Sequence, residues 1–556
     1  MRSMQRFLCA AALLSAAACS GPMKLVRVAE PMRTQDKPEI DRVIDLGGQV
    51  LPAQGEIRIS DSDGKLSPGE WVAVRGKGMD ADSRILLGER ELAPEGYLAH
   101  GLLFRVPRGL DPRNTSQLKV RSARGESMKS VRLRSYAAVA DRRNAALRFA
   151  VVGFKGLEGT VISRDFACAG PVAFSPDGAL LYALGRGQGD DGAKAWAESL
   201  LKSAALPPKR AELPVQVFAM GAKGGPRKIA ECRAGLDSAP AAMLAPAPGQ
   251  LLVLSEGHLL WLDVSSPEAA AERGRLDLRQ ADRRTCFASL TALAPDRIAL
   301  LDPCTNQLRT VELGSGGPAL QGEPLELAPD SDLPLSLSLA AEPGDPQTLW
   351  VLQGPNFRIA REEAVRGLAA LKSSAVGLLA PLTGKAPEGG VDQPRRSAVA
   401  SRLLKLRVTR AGSEIAAELG MPARFFPLSM IPLGEGKVAV GGVSGQVFDF
   451  AGIEPTLGGM KKLVKLLLGV TDLGRVYTLA EGAEPEERLK GLALYFQLAP
   501  VGDSLLISVL RPAVKKLPPK VDVRWGVEMG TRFSSFKSLD YKSLLPPYVF
   551  EPMQFQ

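Results

Sequence analysis

Histidine is the side chain that most readily moves protons near neutral pH, and this chain has only two, His100 and His258. They are too few for a His-rich metal site, and no haem-attachment Cys-x-x-Cys-His run or paired-His acid–base motif can be built from them. No Gly-x-Ser-x-Gly elbow and no Gly-x4-Gly-Lys-Ser/Thr loop occurs. Gly187-Gln188-Gly189-Asp190-Asp191-Gly192 has the glycine spacing of a dinucleotide loop. Two aspartates would face the pyrophosphate there, and no βαβ pattern surrounds it. Asp190 with Asp191, and Asp61 with Asp63, fall short of the oxygen ligands a calcium loop supplies. These runs read as solvated turns, His100 as a surface turn residue and His258 as a strand residue. No metal and no cofactor is expected.

The cysteines are better placed for chemistry. Removal of an N-terminal leader would take Cys9, and modification would use Cys19, leaving Cys168, Cys232, Cys286 and Cys304. An even number in an exported chain reads as two disulfides. Cys286 and Cys304 flank a hairpin pattern that turns at Pro295-Asp296, and their midpoint is position 295, which sets them opposite each other. Cys168 and Cys232 pair by exclusion.

Arg2 and Arg6 precede an uncharged stretch, Phe7 to Ala18, the n-region and h-region of a signal peptide. The stretch is shorter than the roughly 20 apolar residues that span a bilayer. Ala16-Ala17-Ala18 followed by Cys19-Ser20-Gly21 resembles the bacterial lipobox, although Ala16 stands where that family usually has Leu. The resemblance implies a diacylglycerol on Cys19 and, with Ser20 after it, an outer-membrane address. The membrane is then one partner, and several acyl chains at about 0.8 kcal/mol per buried CH2 would hold the protein firmly.

With 45% apolar and 23% charged residues the chain is a folded protein. The signal peptide carries two of the 70 basic residues and none of the 60 acids, so the mature chain has 68 − 60 = +8. That balance suits an anionic membrane or cell-wall polymer, and nucleic acid is not an expected partner of an exported chain. Length calls for two or more domains, and the expected architecture is all-β.

After residues 1–18, positions 19–48 are broken by Pro22, Pro31 and Pro38 and read as a flexible tether. From 49 to 137 short alternating strands, among them Trp71-Val72-Ala73-Val74 and Leu102-Leu103-Phe104-Arg105-Val106, recur with Gly or Pro between them. That is the sandwich pattern. Ser67-Pro68-Gly69-Glu70, Gly76, Gly78, Leu87-Gly88, Phe104-Arg105-Val106-Pro107, Leu118-Lys119-Val120 and Gly125 resemble the IPT/TIG immunoglobulin-like domain. The resemblance implies a surface spacer or a protein- or glycan-binding module.

From 138 to 510 the pattern repeats. Val172 to Leu184 reads strand, Ser-Pro-Asp-Gly turn, strand, and similar outlines begin at 242, 290, 335, 428 and 466. The steps approach the length of a four-stranded blade, and the series resembles a β-propeller of the YVTN or WD-like class with six or seven blades. Insertions fall at 187–212 and 355–410. The second carries eleven basic and four acidic residues, 11 − 4 = +7. Residues 511–556 form an aromatic-rich tail expected to wrap the propeller.

Taken together these features lead to a non-enzymatic envelope lipoprotein that docks a protein or anionic polysaccharide through Arg395, Arg396, Arg402 and Arg407. Two alternatives stand beside it: an outer-membrane assembly factor, and a propeller enzyme of lyase or lactonase type. The latter would gather distant carboxylates in one channel, where sequence spacing does not reveal them.

Overall fold

The computed structural model describes residues 23–185, 211–354, 401–444 and 472–478, interrupted at short turns, and then the strands at 487–490, 494–501, 504–510, 520–525, 532–537 and 554–555. Among the described residues all regular structure is β-strand. The all-β expectation holds.

The first domain is two antiparallel sheets, one of six strands and one of four. Alternate residues of four strands point into the space between them: Val72 and Val74, Leu102 and Phe104, Ile85 and Leu87, Leu118 and Val120. This period of two is what a strand with one buried face requires. The larger sheet is covered on its other face as well, by Leu25, Ile57, Ala73 and Leu103. Gly101–Arg105 is therefore buried almost without alternation. Lys24–Val28 pairs with Gly55–Arg58 and Gly96–Leu98, and Glu39–Asp45 pairs with Trp71–Lys77. Much of the expected tether at 19–48 is thus strand, held in the sheet from Lys24 onward.

The second domain holds seven four-stranded antiparallel sheets. Each sheet's first strand touches the first strand of the next, so the sheets radiate from a ring of inner strands. This is a seven-bladed propeller. Blades 2 to 7 cover 169–236, 240–277, 289–326, 335–420, 425–490 and 494–537. Blade 1 combines Ser135–Asp141, Ala146–Gly153 and Gly156–Ser163 with Gln554–Phe555, whose register is Ala137↔Phe555 and Ala138↔Gln554. The innermost strand of the first blade is therefore supplied from the far end of the sequence, and the ring closes there. The expected aromatic tail at 511–556 contributes blade strands at Lys520–Trp525 and Arg532–Lys537 as well as this closing strand. The propeller does not stop at 510.

The core between blades 2 and 3 is mainly aliphatic. Leu184, Val215 and Val217 of blade 2 pack with Leu251, Val253 and Leu260 of blade 3. Cys232 sits in that core as a buried free thiol. Cys232 is on the outermost strand of its blade, and Ala169 opens the innermost. Cys168, Cys286 and Cys304 lie outside the described residues, as do Cys19, the leader, and both insertions apart from the strands that border them.

Candidate functional site

Because successive strands of a blade are antiparallel, the propeller has two faces. One carries the turns between first and second strands, and the other the connections between second and third strands. The first face meets the N-terminal domain at blade 2, where Asp177 in the Ser-Pro-Asp-Gly turn receives Nη1 of Arg105 at 2.8 Å. The second and third strands of blades 2, 5 and 6, which border 186–210, 355–400 and 445–471 in the sequence, end and begin on the second face.

Polar residues that interrupt otherwise apolar strands are concentrated at that second face. Ser255 and His258 bracket the turn of blade 3, Asp302 and Gln307 that of blade 4, and Ser336, Gln353 and Ser401 lie at the same end of blade 5, all buried. Buried polar groups are costly unless bonded, and these are bonded. Asn306 adopts a left-handed φ of 52° and its Oδ1 accepts the Ser336 amide at 2.9 Å, linking blade 4 to blade 5. Gln353 donates Nε2 to the Ser336 hydroxyl at 2.9 Å. Arg402 then donates Nε to Gln353 at 2.5 Å, Nη1 to Glu418 at 2.9 Å and Nη2 to the Leu327 carbonyl at 3.2 Å.

Asp302 and Asp277 are among the acids on this face. Asp302 has no solvent exposure and accepts the Thr305 hydroxyl at 2.9 Å. Asp277 lies 3.8 Å from His258 Nε2. The Arg279 side chain, 2.7 Å away, pulls the Asp277 carboxyl down to about 2. Among the described residues no cluster of three metal-ligating side chains exists.

Two of the four anticipated docking arginines fall on one strand, toward opposite ends of it. Arg402 and Arg407 belong to Arg402–Val408, the third strand of blade 5, so the insertion ends before them. Arg402 is fully engaged inside the blade, at the second face, while Arg407 is exposed toward the opposite end of the strand. Arg395 and Arg396 lie outside the described residues. His100 is an exposed turn residue, and His258 a buried strand residue. Asp302, Gln353 and Ser336 escaped sequence reasoning, because each is a single polar residue in an apolar run whose burial depends on a neighbouring blade.

No family model and no curated protein matches this chain. Solved structures do. A protein from Lactobacillus plantarum is 9% identical with a TM-score of 0.43, over 76% of this chain and 99% of that one. A putative 6-phosphogluconolactonase from Bacteroides uniformis is 10% identical with a TM-score of 0.43, over 73% and 97%. The periplasmic gluconolactonase of Pseudomonas aeruginosa is 11% identical with a TM-score of 0.42, over 71% and 99%. At such identities the likeness is one of fold. The expected non-enzymatic docking module gives way at this point: of its four arginines, Arg402 is spent on bonds inside its blade and Arg407 lies toward the other end of the same strand.

Proposed function

We propose that the chain is a propeller enzyme of the lactonase type, acting on a cyclic ester at the second face of the propeller. The observation that carries this reading is Asp302, a carboxyl with no solvent exposure in a bonded polar band of blades 3 to 5. Lactone opening needs a base that takes a proton from the attacking water and returns it to the ring oxygen as the acyl C–O bond breaks, leaving a hydroxy acid. Asp302, oriented by the Thr305 hydroxyl, is the base we assign, a role that requires the side chains covering it to part and admit lactone and water. The neighbouring Asn306–Ser336–Gln353–Arg402 chain gives that face a fixed shape.

The test is hydrolysis of a panel of aldonolactones by the purified protein, followed by proton release. Activity that Asp302→Asn abolishes without a change in melting supports the reading. A wild-type protein inert toward every lactone offered sinks it.

For the N-terminal domain we propose the finer IPT/TIG identity on the residues named above, and for the chain a lipid anchor at Cys19 with an outer-membrane address. Arg2, Arg6 and the uncharged Phe7 to Ala18 support export. Acyl labelling that Cys19→Ala leaves intact would refute the anchor.

A further inference from the structure

The seam between the two domains is built around a carboxyl that has no water to ionise into. Glu70 is 2% exposed. Its Oε2 accepts the Ser67 amide at 2.8 Å and its Oε1 the Gly47 amide at 3.1 Å. Across the seam it abuts propeller backbone, and a Cβ added at Gly221 would lie 3.1 Å from the Glu70 carboxyl. Three other ionisable groups of its own domain face it: Asp45, Asp63 and Arg134. From the propeller side come the Tyr136 phenol and, further along the seam, Asp177 with its partner Arg105.

The charges are not balanced. Asp45 is itself buried and accepts from the Ser62 hydroxyl and from the amides of Asp63 and Gly64. Among the described residues Arg134 is the cation that acts on Glu70, and it is held by Asp63 at 2.7 Å. A charge on Glu70 would therefore be a third carboxylate beside a single, already paired guanidinium. Buried charge of that kind is relieved by hydration, and the route to hydration here is parting of the two domains.

We propose that the seam between the N-terminal domain and the propeller is a pH-sensitive hinge, closed while Glu70 is neutral and loosened when it becomes charged. The electrostatics agree: burial pushes the Glu70 carboxyl up to about 8, with Asp45 and Asp63 adding to the rise. Burial raises Asp45 as well. The sign follows. A carboxyl that holds its proton more tightly in the closed form favours closure fully below its ordinary value, and this contribution is lost as pH rises through about 8. The hinge does not depend on which substrate the propeller takes.

Hydrogen exchange on the full chain between about pH 6.5 and 9.5, corrected for intrinsic rates, decides it. The amides of Gly47 and Ser67 should lose about tenfold in protection per pH unit as pH rises toward 8, as release of one proton on opening requires, and the loss should level off at the midpoint of Glu70's own titration near 8. Protection of the blade 3 strand Gln250–Ser255 should not follow. Asp45→Asn, which removes a like charge, should move the midpoint to lower pH, a shift that a merely structural role would not produce. Glu70→Gln should abolish the midpoint. Flat protection of Gly47 and Ser67 in the wild-type protein across this range overturns the proposal, and that measurement stands even if either variant fails to fold.

Discussion

Arg105 of the N-terminal domain reaches 2.8 Å from Asp177 of the propeller while its guanidinium lies 4.6 Å over the Trp71 ring. The ion pair joins two motifs far apart in sequence, Phe104-Arg105-Val106 and Ser175-Pro176-Asp177-Gly178. Both partners keep about a third of their surface in water, 38% and 31%, so the pair itself is worth only about 0.5 kcal/mol. Arg105→Met should cost no more than that. Asp177→Ala should cost about 2 kcal/mol, because Oδ1 of Asp177 also accepts the Ser175 hydroxyl and the Ala179 amide that shape the turn. Denaturant melts of the two variants should rank them in that order, and equal losses would refute the assignment.

Gly69 should tolerate no side chain. Its φ is +77°, and a Cβ would come within 2.3 Å of the Ala179 amide nitrogen on the propeller. Gly69→Ala combines left-handed strain of about 1 kcal/mol with a clash against backbone. The expected result is separate melting of the two domains in calorimetry. A single unshifted transition would contradict it.

Arg402→Ala should destabilise the propeller by about 2 to 3 kcal/mol, since it strips three hydrogen bonds that join Gln353, Glu418 and Leu327. Arg407→Ala, at an exposed position of the same strand, should leave the melt within about 0.5 kcal/mol. Similar losses from both would mean that the Arg402 contacts contribute little.

Peptide mapping without reduction should recover Cys286 crosslinked to Cys304. In the described part of that hairpin Ser289 pairs with Leu301 and Leu290 with Leu300. That register is centred on position 295, which is also the sequence midpoint of 286 and 304. Recovery of both as alkylatable thiols would sink the pairing.

Strong local patterns were legible in the sequence, and long-range ones were not. The hairpin at Val172 to Leu184 could be read directly, because Ser175-Pro176-Asp177-Gly178 enforces a turn between two apolar runs, and the inner strand begins at Ala169. Lys24–Val28 was not recognisable as a strand. It is five residues with a burial pattern of eBeii, and only its partners at Gly55–Arg58 and Gly96–Leu98 hold it in the sheet. At the site, Arg402 counted as one more basic residue, because nothing local shows that Gln353, 49 positions earlier, awaits its guanidinium. Glu70 was noticed as part of a family pattern, whereas its burial needs Gly221 from another domain.

The strand Gln554–Phe555 imposes an order of events on folding. Its partners are Ala138 and Ala137, so ring closure joins residues 555 − 137 = 418 positions apart. Loop entropy makes so non-local a contact late and slow. Each blade can form from neighbouring sequence as the chain emerges, yet until residue 555 is available the first blade exposes the backbone groups of Ser135–Asp141 as an open edge. Such an edge is a template for pairing with another chain. The interval between formation of the first blade's three strands and arrival of the closing strand is therefore when this protein is most exposed to aggregation, and a chaperone that shields Ser135–Asp141 during that interval would raise its folding yield more than one acting on any other blade.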